Sequence, residues 1–224
     1  MFEGITPAAS EFLFALALHN EREWFMPRKE EFKALVDTPL RSLAAETLDL
    51  MRGQFPEADF QPHVSRIYRD ARRLHGGGPY RDHLWFSLQS GDTRANGPMF
   101  WFELTAVSYA YGMGFWAADS AWGQAFRAAI DADPNGFAGR LEPLENTGYR
   151  LWGQTYKRLK ADRGPLLNPW YNSRSVSVGW EFPFGEELAD PALPHRLLAA
   201  YAPLMPLFRF YQTVWHSLTP PAQT

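Results

Sequence analysis

The chain has 224 residues, of which 46% are hydrophobic and 16% aromatic, enough for a substantial core, and its formal net charge is −3. That acidic balance excludes a global attraction to nucleic acid or anionic membranes, so any basic patch has to be local. The absence of cysteine removes disulfides, thiolate metal sites and cysteine nucleophiles together, and it fits a reducing compartment.

In chain order, Thr6-Pro7 offers a capping hydroxyl followed by proline at the first helical position. Phe12, Leu13, Leu16 and Ala17 then share one face of a helix that ends near His19-Asn20. The apolar run Phe12–Leu18 is too short to span a bilayer and follows Glu3 and Glu11 rather than basic residues, so a cytoplasmic protein without membrane association is expected. A second helical region starts near Glu21 and carries Trp24, Phe25, Phe32, Leu35 and Val36 at helical spacing. It breaks at Asp37-Thr38-Pro39, resumes through Leu40, Leu43, Leu48 and Leu50, and closes at Gly53 and Pro56. Residues 1–55 read as a helical layer.

The pattern then changes to strands at His63–Asp70, His83–Gln89, Met99–Leu104 and Tyr109–Phe115, with a hairpin joining the last two. Leu84, Phe86 and Leu88 form a core face; His83, Trp85, Ser87 and Gln89 form the other. The large–small alternation of Tyr109–Gly114 leaves a small face open to a helix or a ligand. Asp119-Ser120 begins a helix with Trp122, Phe126 and Ile130 inward, and Asp133-Pro134 begins another containing Phe137 and Leu141. Tyr149–Tyr156 and Ser175–Phe182 read as strands. Between them, Ala161–Asn172 reads as an irregular connection, and the Lys157-Arg158 and Lys160 run as a solvated strand end. Pro191–Leu218 is helical, interrupted at Pro203 and Pro206. The sum is an α+β single domain over 1–224. An antiparallel or mixed sheet in 60–185 is partly wrapped by N-terminal and C-terminal helices, the latter in 190–218.

Five arginines (Arg66, Arg69, Arg72, Arg73 and Arg81) fall within Arg66–His83, beside Asp70, Asp82 and the run Gly76-Gly77-Gly78. A fold gains little from so many fixed charges next to a flexible loop, which points to an anion or an organised site. If His63–Asp70 is a strand, Arg66, Tyr68 and Asp70 share a face and Arg69 points away. Arg66, Arg69, Arg72 and Arg81 would hold a phosphate- or carboxylate-bearing molecule, and Asp70 would orient them. Tyr80 and Trp116 would shape the wall, and the glycine loop would offer backbone N–H groups. The competing structural account is a salt-bridge network tying a hairpin loop to the helices.

Several of these residues together resemble the domain-of-unknown-function 2461 family of bacterial and fungal proteins. The matching pieces are the first helix ending in Asn20, then Arg22, Trp24 and Phe25; Arg66-Ile67-Tyr68-Arg69-Asp70 with Arg72; and Pro79-Tyr80-Arg81 before a strand. Gly112, Gly114, Trp116, Arg127 and Ile130 extend the likeness to about residue 145. The chain departs from the family at Arg73, where an aromatic is usual, and at Gly76–Gly78, where an acidic-basic pair is usual. The resemblance implies the fold and the location of the special segment, and no reaction.

Two other classes of function stay open in the sequence. In an enzyme, Asp70 or His83 would act as acid or base in the same cleft, with Glu103 a further candidate beside aromatics. In an interaction module, the aromatic second face of the sheet would bury against a partner or a second copy. His63, His75 and His83 with Asp70 and Asp82 lack the close helical spacing of common zinc motifs, so no metal site is assigned, and no cofactor is indicated. Neither a Gly-x-Ser-x-Gly elbow nor a phosphate loop with Lys-Ser/Thr is present.

Overall fold

The first helix, α1 (Pro7–Leu18), buries Ala9, Phe12, Leu13 and Leu16 as its spacing predicts, although the Thr6 hydroxyl makes no capping bond. The computed structural model describes residues 1–70, 78–90, 97–115, 120–174 and 176–218. After α1 the chain passes through α2 (Arg22–Phe25), α3 (Lys29–Phe32) and α4 (Thr38–Gln54), joined by a 3-10 turn at Met26–Arg28 and a π turn at Lys33–Asp37. The break expected at Asp37-Thr38-Pro39 is therefore not made. Pro39 sits in the first turn of α4, and the wider π turn before it carries the helix across.

Six strands form one open antiparallel sheet: β1 (Phe60–Val64), β2 (His83–Ser90), β3 (Met99–Thr105), β4 (Ser108–Gly114), β5 (Arg150–Trp152) and β6 (Ser177–Pro183). Their order is β1-β2-β3-β4-β6-β5. The β3–β4 hairpin is closed by the Thr105 hydroxyl, which accepts from Val107 N at 3.1 Å and Ser108 N at 2.9 Å. β5 pairs Leu151 with Val178 and ends at Trp152, short of Tyr156. The small face of β4 admits a neighbouring strand. A Cβ at Gly112 would lie 2.1 Å from Val178 O, so it is the backbone of β6 that comes close.

The chain folds as two compact units. The first takes Met1–Leu88, Trp101–Tyr111 and Glu181–Leu198. Its core joins Phe12, Phe25, Phe32, Leu40, Leu43 and Met51 of the helices to Leu84, Phe86 and Phe102 of the strands. The second takes Gln89–Phe100, Gly112–Trp180 and Ala199–Thr224. Here α5 (Ser120–Ala132) packs against the C-terminal helix, with Trp122, Phe126, Phe115 and Tyr211 in mutual ring contact. Asp119, the expected cap of α5, lies outside the described residues, as does Ser175.

Next come α6 (Pro134–Gly139), α7 (Gly164–Tyr171), α8 (Leu193–Tyr201) and α9 (Met205–Leu218). Asp133 caps α6 by accepting from Gly136 N at 2.9 Å. The helix α7 replaces the irregular connection expected there. Asp162 accepts from Gly164 N at 2.9 Å, Pro165 opens the first turn, and Leu167, Trp170 and Tyr171 supply the buried stripe. Pro203 falls in a 3-10 turn between α8 and α9, and Pro206 in the first turn of α9, which accounts for the expected interruption. Among the described residues, no helix is long and apolar enough to cross a membrane.

Candidate functional site

The described residues of the segment singled out in the sequence lie in the first unit. The expected strand His63–Asp70 is displaced: β1 stops at Val64 and carries Pro62, as an edge strand can. Ser65 then breaks the ladder, because its hydroxyl, rather than a carbonyl, accepts from Trp85 N at 2.9 Å, while its own N–H donates to Trp85 O at 2.8 Å. Pairing returns only as a single bridge between Tyr68 and Tyr80, flanked by Arg69 N to Pro79 O and Arg81 N to Ile67 O, each at 2.8 Å. Exposure still alternates as a strand would. Arg66, Tyr68 and Asp70 are exposed; Ser65 and Ile67 are buried.

Asn20, just past α1, holds this bridge from the side. Its side-chain N–H donates to Tyr80 O and its oxygen accepts from Tyr80 N, both at 2.9 Å, in the manner of a neighbouring strand. The approach is so close that a Cβ at Gly78 would stand 2.3 Å from the Asn20 side chain. Tyr80 is buried and packs its ring 4.2 Å from that of Phe25, so the ring expected as a wall is part of the core. The exposed ring beside it is Tyr68, 5.5 Å away. Burial pushes the Tyr80 hydroxyl above the usual tyrosine range, Tyr68 adding to the effect and Arg22 opposing it.

Charge is organised by Asp82. Its Oδ1 accepts from Arg69 Nη2 and from His83 Nδ1, each at 3.0 Å. Burial alone would push the Asp82 carboxyl up. A backbone hydrogen bond, His83 and Arg69 outweigh that and hold it below the usual aspartate range. On β3, burial pushes Glu103 above the usual glutamate range; the His83 imidazole pulls against this, and the Glu181 and Asp82 carboxylates add to it. His63, ringed against Trp85 at 5.0 Å, is pushed down by burial and by Arg66.

Arg81 is half-buried, and its Nε is enclosed with no hydrogen-bond partner. Arg66 projects outward and makes no ion pair with the described residues. The structure thus brings Arg69, Tyr80, Arg81 and His83 onto one short paired stretch and leaves Arg66 and Asp70 on its outer side. Arg72, Trp116 and His75 lie outside the described residues. Among the described residues no group of three or more His, Asp or Glu could hold a metal ion.

Two residues central to this geometry enter the sequence reading in other capacities, Asp82 as a weighed metal ligand and Asn20 in the family resemblance. Asp82 was legible only as the acid lodged between Arg81 and His83. The part played by Asn20 depends on a contact sixty residues away, which no local pattern announces. No curated protein matches the chain. The sequence profile of the conserved hypothetical protein family DUF2461 matches residues 8–210, a span that includes Asn20, the bridge and the whole arginine-rich segment, and the chain belongs to that family.

Proposed function

We propose that this chain binds a small anionic molecule, bearing a phosphate or a carboxylate, at the Arg66–His83 segment. The observation that carries the reading is a surplus of guanidinium donors: Arg81 Nε is enclosed without a partner, and Arg66 has no ion pair among the described residues. A buried donor left unsatisfied costs about 1–3 kcal/mol, and more when charged. An oxyanion accepting from Arg81 would offset that cost, and Arg66 on the outer side would add positive charge to its approach. Arg69, already fixed by Asp82, supplies a positive edge of defined orientation. Asp70 would orient its neighbours. A cytoplasmic location is consistent with the absence of cysteine.

The test is calorimetric titration with succinate and with inorganic phosphate, on the wild-type chain and on Arg66→Gln and Arg81→Gln. One ligand class should bind, and each substitution should weaken it by about tenfold or more. Undiminished affinity in both folded variants would return the arginines to a purely structural role.

A second reading, acid–base catalysis in the same cleft, draws on the Asp82–His83 contact. With Nδ1–H donated to Asp82, the Nε2 atom of His83 remains available to take a proton. This favours His83 over Asp70 as the working group. Turnover of a chromogenic phosphate ester that survives His83→Gln would dismiss it.

A further inference from the structure

The second unit holds a cluster that no sequence motif announces. Three cations lie over the half-buried ring of Tyr156: Lys160 Nζ at 4.5 Å from the ring centroid, Arg127 Cζ at 5.2 Å and Arg174 Cζ at 5.5 Å. A ring has two faces, so at least two of these like charges share one. Arg127 Nη1 also donates to the Tyr156 hydroxyl at 3.2 Å. None of the three is in an ion pair with an acid among the described residues. Asp131 feels the charge of Arg127, but its two oxygens are engaged by Arg163 and Tyr171.

The backbone under the cluster is tightly fixed. Tyr156 N donates to Asn172 O at 2.9 Å, Arg174 N to Gln154 O at 2.7 Å, and Lys160 N to the Asn172 side-chain oxygen at 2.7 Å. Asn172 is itself buried. Gly123 completes the seat. A Cβ there would stand 2.9 Å from the Tyr156 hydroxyl, so a glycine in the first turn of α5 is what lets the ring come in.

Three cations gathered this closely repel one another, and attraction to a single half-buried ring offsets only part of that. An arginine stacked on a ring keeps its in-plane N–H donors free for an oxyanion. We propose that Arg127, Lys160 and Arg174 form a second binding site, which takes a phosphate group, either inorganic or carried by a small monoester. A phosphate dianion offers an oxygen to each cation and two charges against three, which a carboxylate does not. The site does not depend on the Arg66–His83 reading.

The experiment is calorimetric titration of inorganic phosphate and of phenyl phosphate into the wild-type chain, into Arg66→Gln, and into the double variant Lys160→Gln/Arg174→Gln. Both substituted side chains of the double variant are exposed, so the fold is expected to persist, checked by circular dichroism. The binding lost in the double variant, weakened there by about tenfold or more, should persist in Arg66→Gln, which removes only phosphate held at the first segment. Phenyl phosphate binding tighter than inorganic phosphate assigns the site to an ester, and equal affinity assigns it to free phosphate. The inference is overturned by absence of saturable binding, by full affinity in the double variant, or by loss confined to Arg66→Gln. That last result would place the phosphate at the first segment and leave the reading given for it standing.

Discussion

Two tyrosines of the second unit lie beneath arginines, and their surroundings differ by one carboxylate. Over Tyr171, Arg163 stacks with its Cζ 5.0 Å from the ring centroid and bonds Asp131 at 2.7 Å, while the tyrosine hydroxyl donates to the other Asp131 oxygen at 2.7 Å. The hydrogen bond from Arg163, and then that from Tyr171, hold Asp131 below the usual aspartate range. Charge is matched there, and the arrangement braces α5 to α7. Over Tyr156 three cations gather around a ring, and no acid answers them among the described residues. The same parts make a brace in one place and an uncompensated cluster of cations in the other. What separates them is the local sum of charge, which neither the aromatic content nor the arginine count reveals.

The comparison breaks most visibly at Asn172. Replacing it with alanine strips a buried amide from Lys160 N and Ala161 O, and the midpoint of denaturant unfolding should report a loss of about 2–3 kcal/mol. Tyr156 would keep its backbone bond to residue 172, so anion affinity should fall through the release of Lys160 rather than of the ring.

Gly123→Ala sharpens the contrast by separating stability from binding. The methyl group would stand 2.9 Å from the Tyr156 hydroxyl and 3.4 Å from Arg127 Nη1, both ends of flexible side chains that can give way, and the helix gains up to about 1 kcal/mol. Thermal unfolding should therefore rise slightly while phosphate affinity falls. A variant that is both less stable and fully competent to bind would contradict the role given to this glycine.

Asp131→Asn should matter least, by less than about 1 kcal/mol at neutral pH, because both partners of the pair remain 38% exposed. Its sign is fixed by the depressed carboxyl. The contribution is present above the unfolded aspartate pKa and is lost as pH falls through the lower folded value. Unfolding curves of the two proteins should differ at pH 7 and converge in acid.

These contrasts follow what the sequence did and did not disclose. Periodicity carried α1, α5, β2, β3, β4 and β6, because each buries a regular stripe such as Trp122–Phe126–Ile130 or Leu84–Phe86–Leu88. It failed at α7, where proline and glycine mask a helix started by the side chain of Asp162, and at β1, where a single serine hydroxyl ends the ladder. The arginine-rich segment stood out by density alone. Which aspartate grips Arg69 is settled by the Tyr68–Tyr80 bridge, a tertiary fact, so attention fell on Asp70 and missed Asp82. Arg127, Tyr156, Lys160 and Arg174 come from three separate stretches of chain, and no spacing rule joins them.

The ring packing of the second unit also gives the molecule its own optical reporter. Trp122 and Trp170 are 3% and 0% exposed and both lie in that unit, whereas Trp24, Trp85 and Trp101 of the first unit are half-buried. Indoles shut away from water emit at shorter wavelength, and opening the α5–α9 packing would move that emission to the red. Intrinsic fluorescence, followed beside circular dichroism that senses every helix, would show without any label whether the two units come apart together or in sequence.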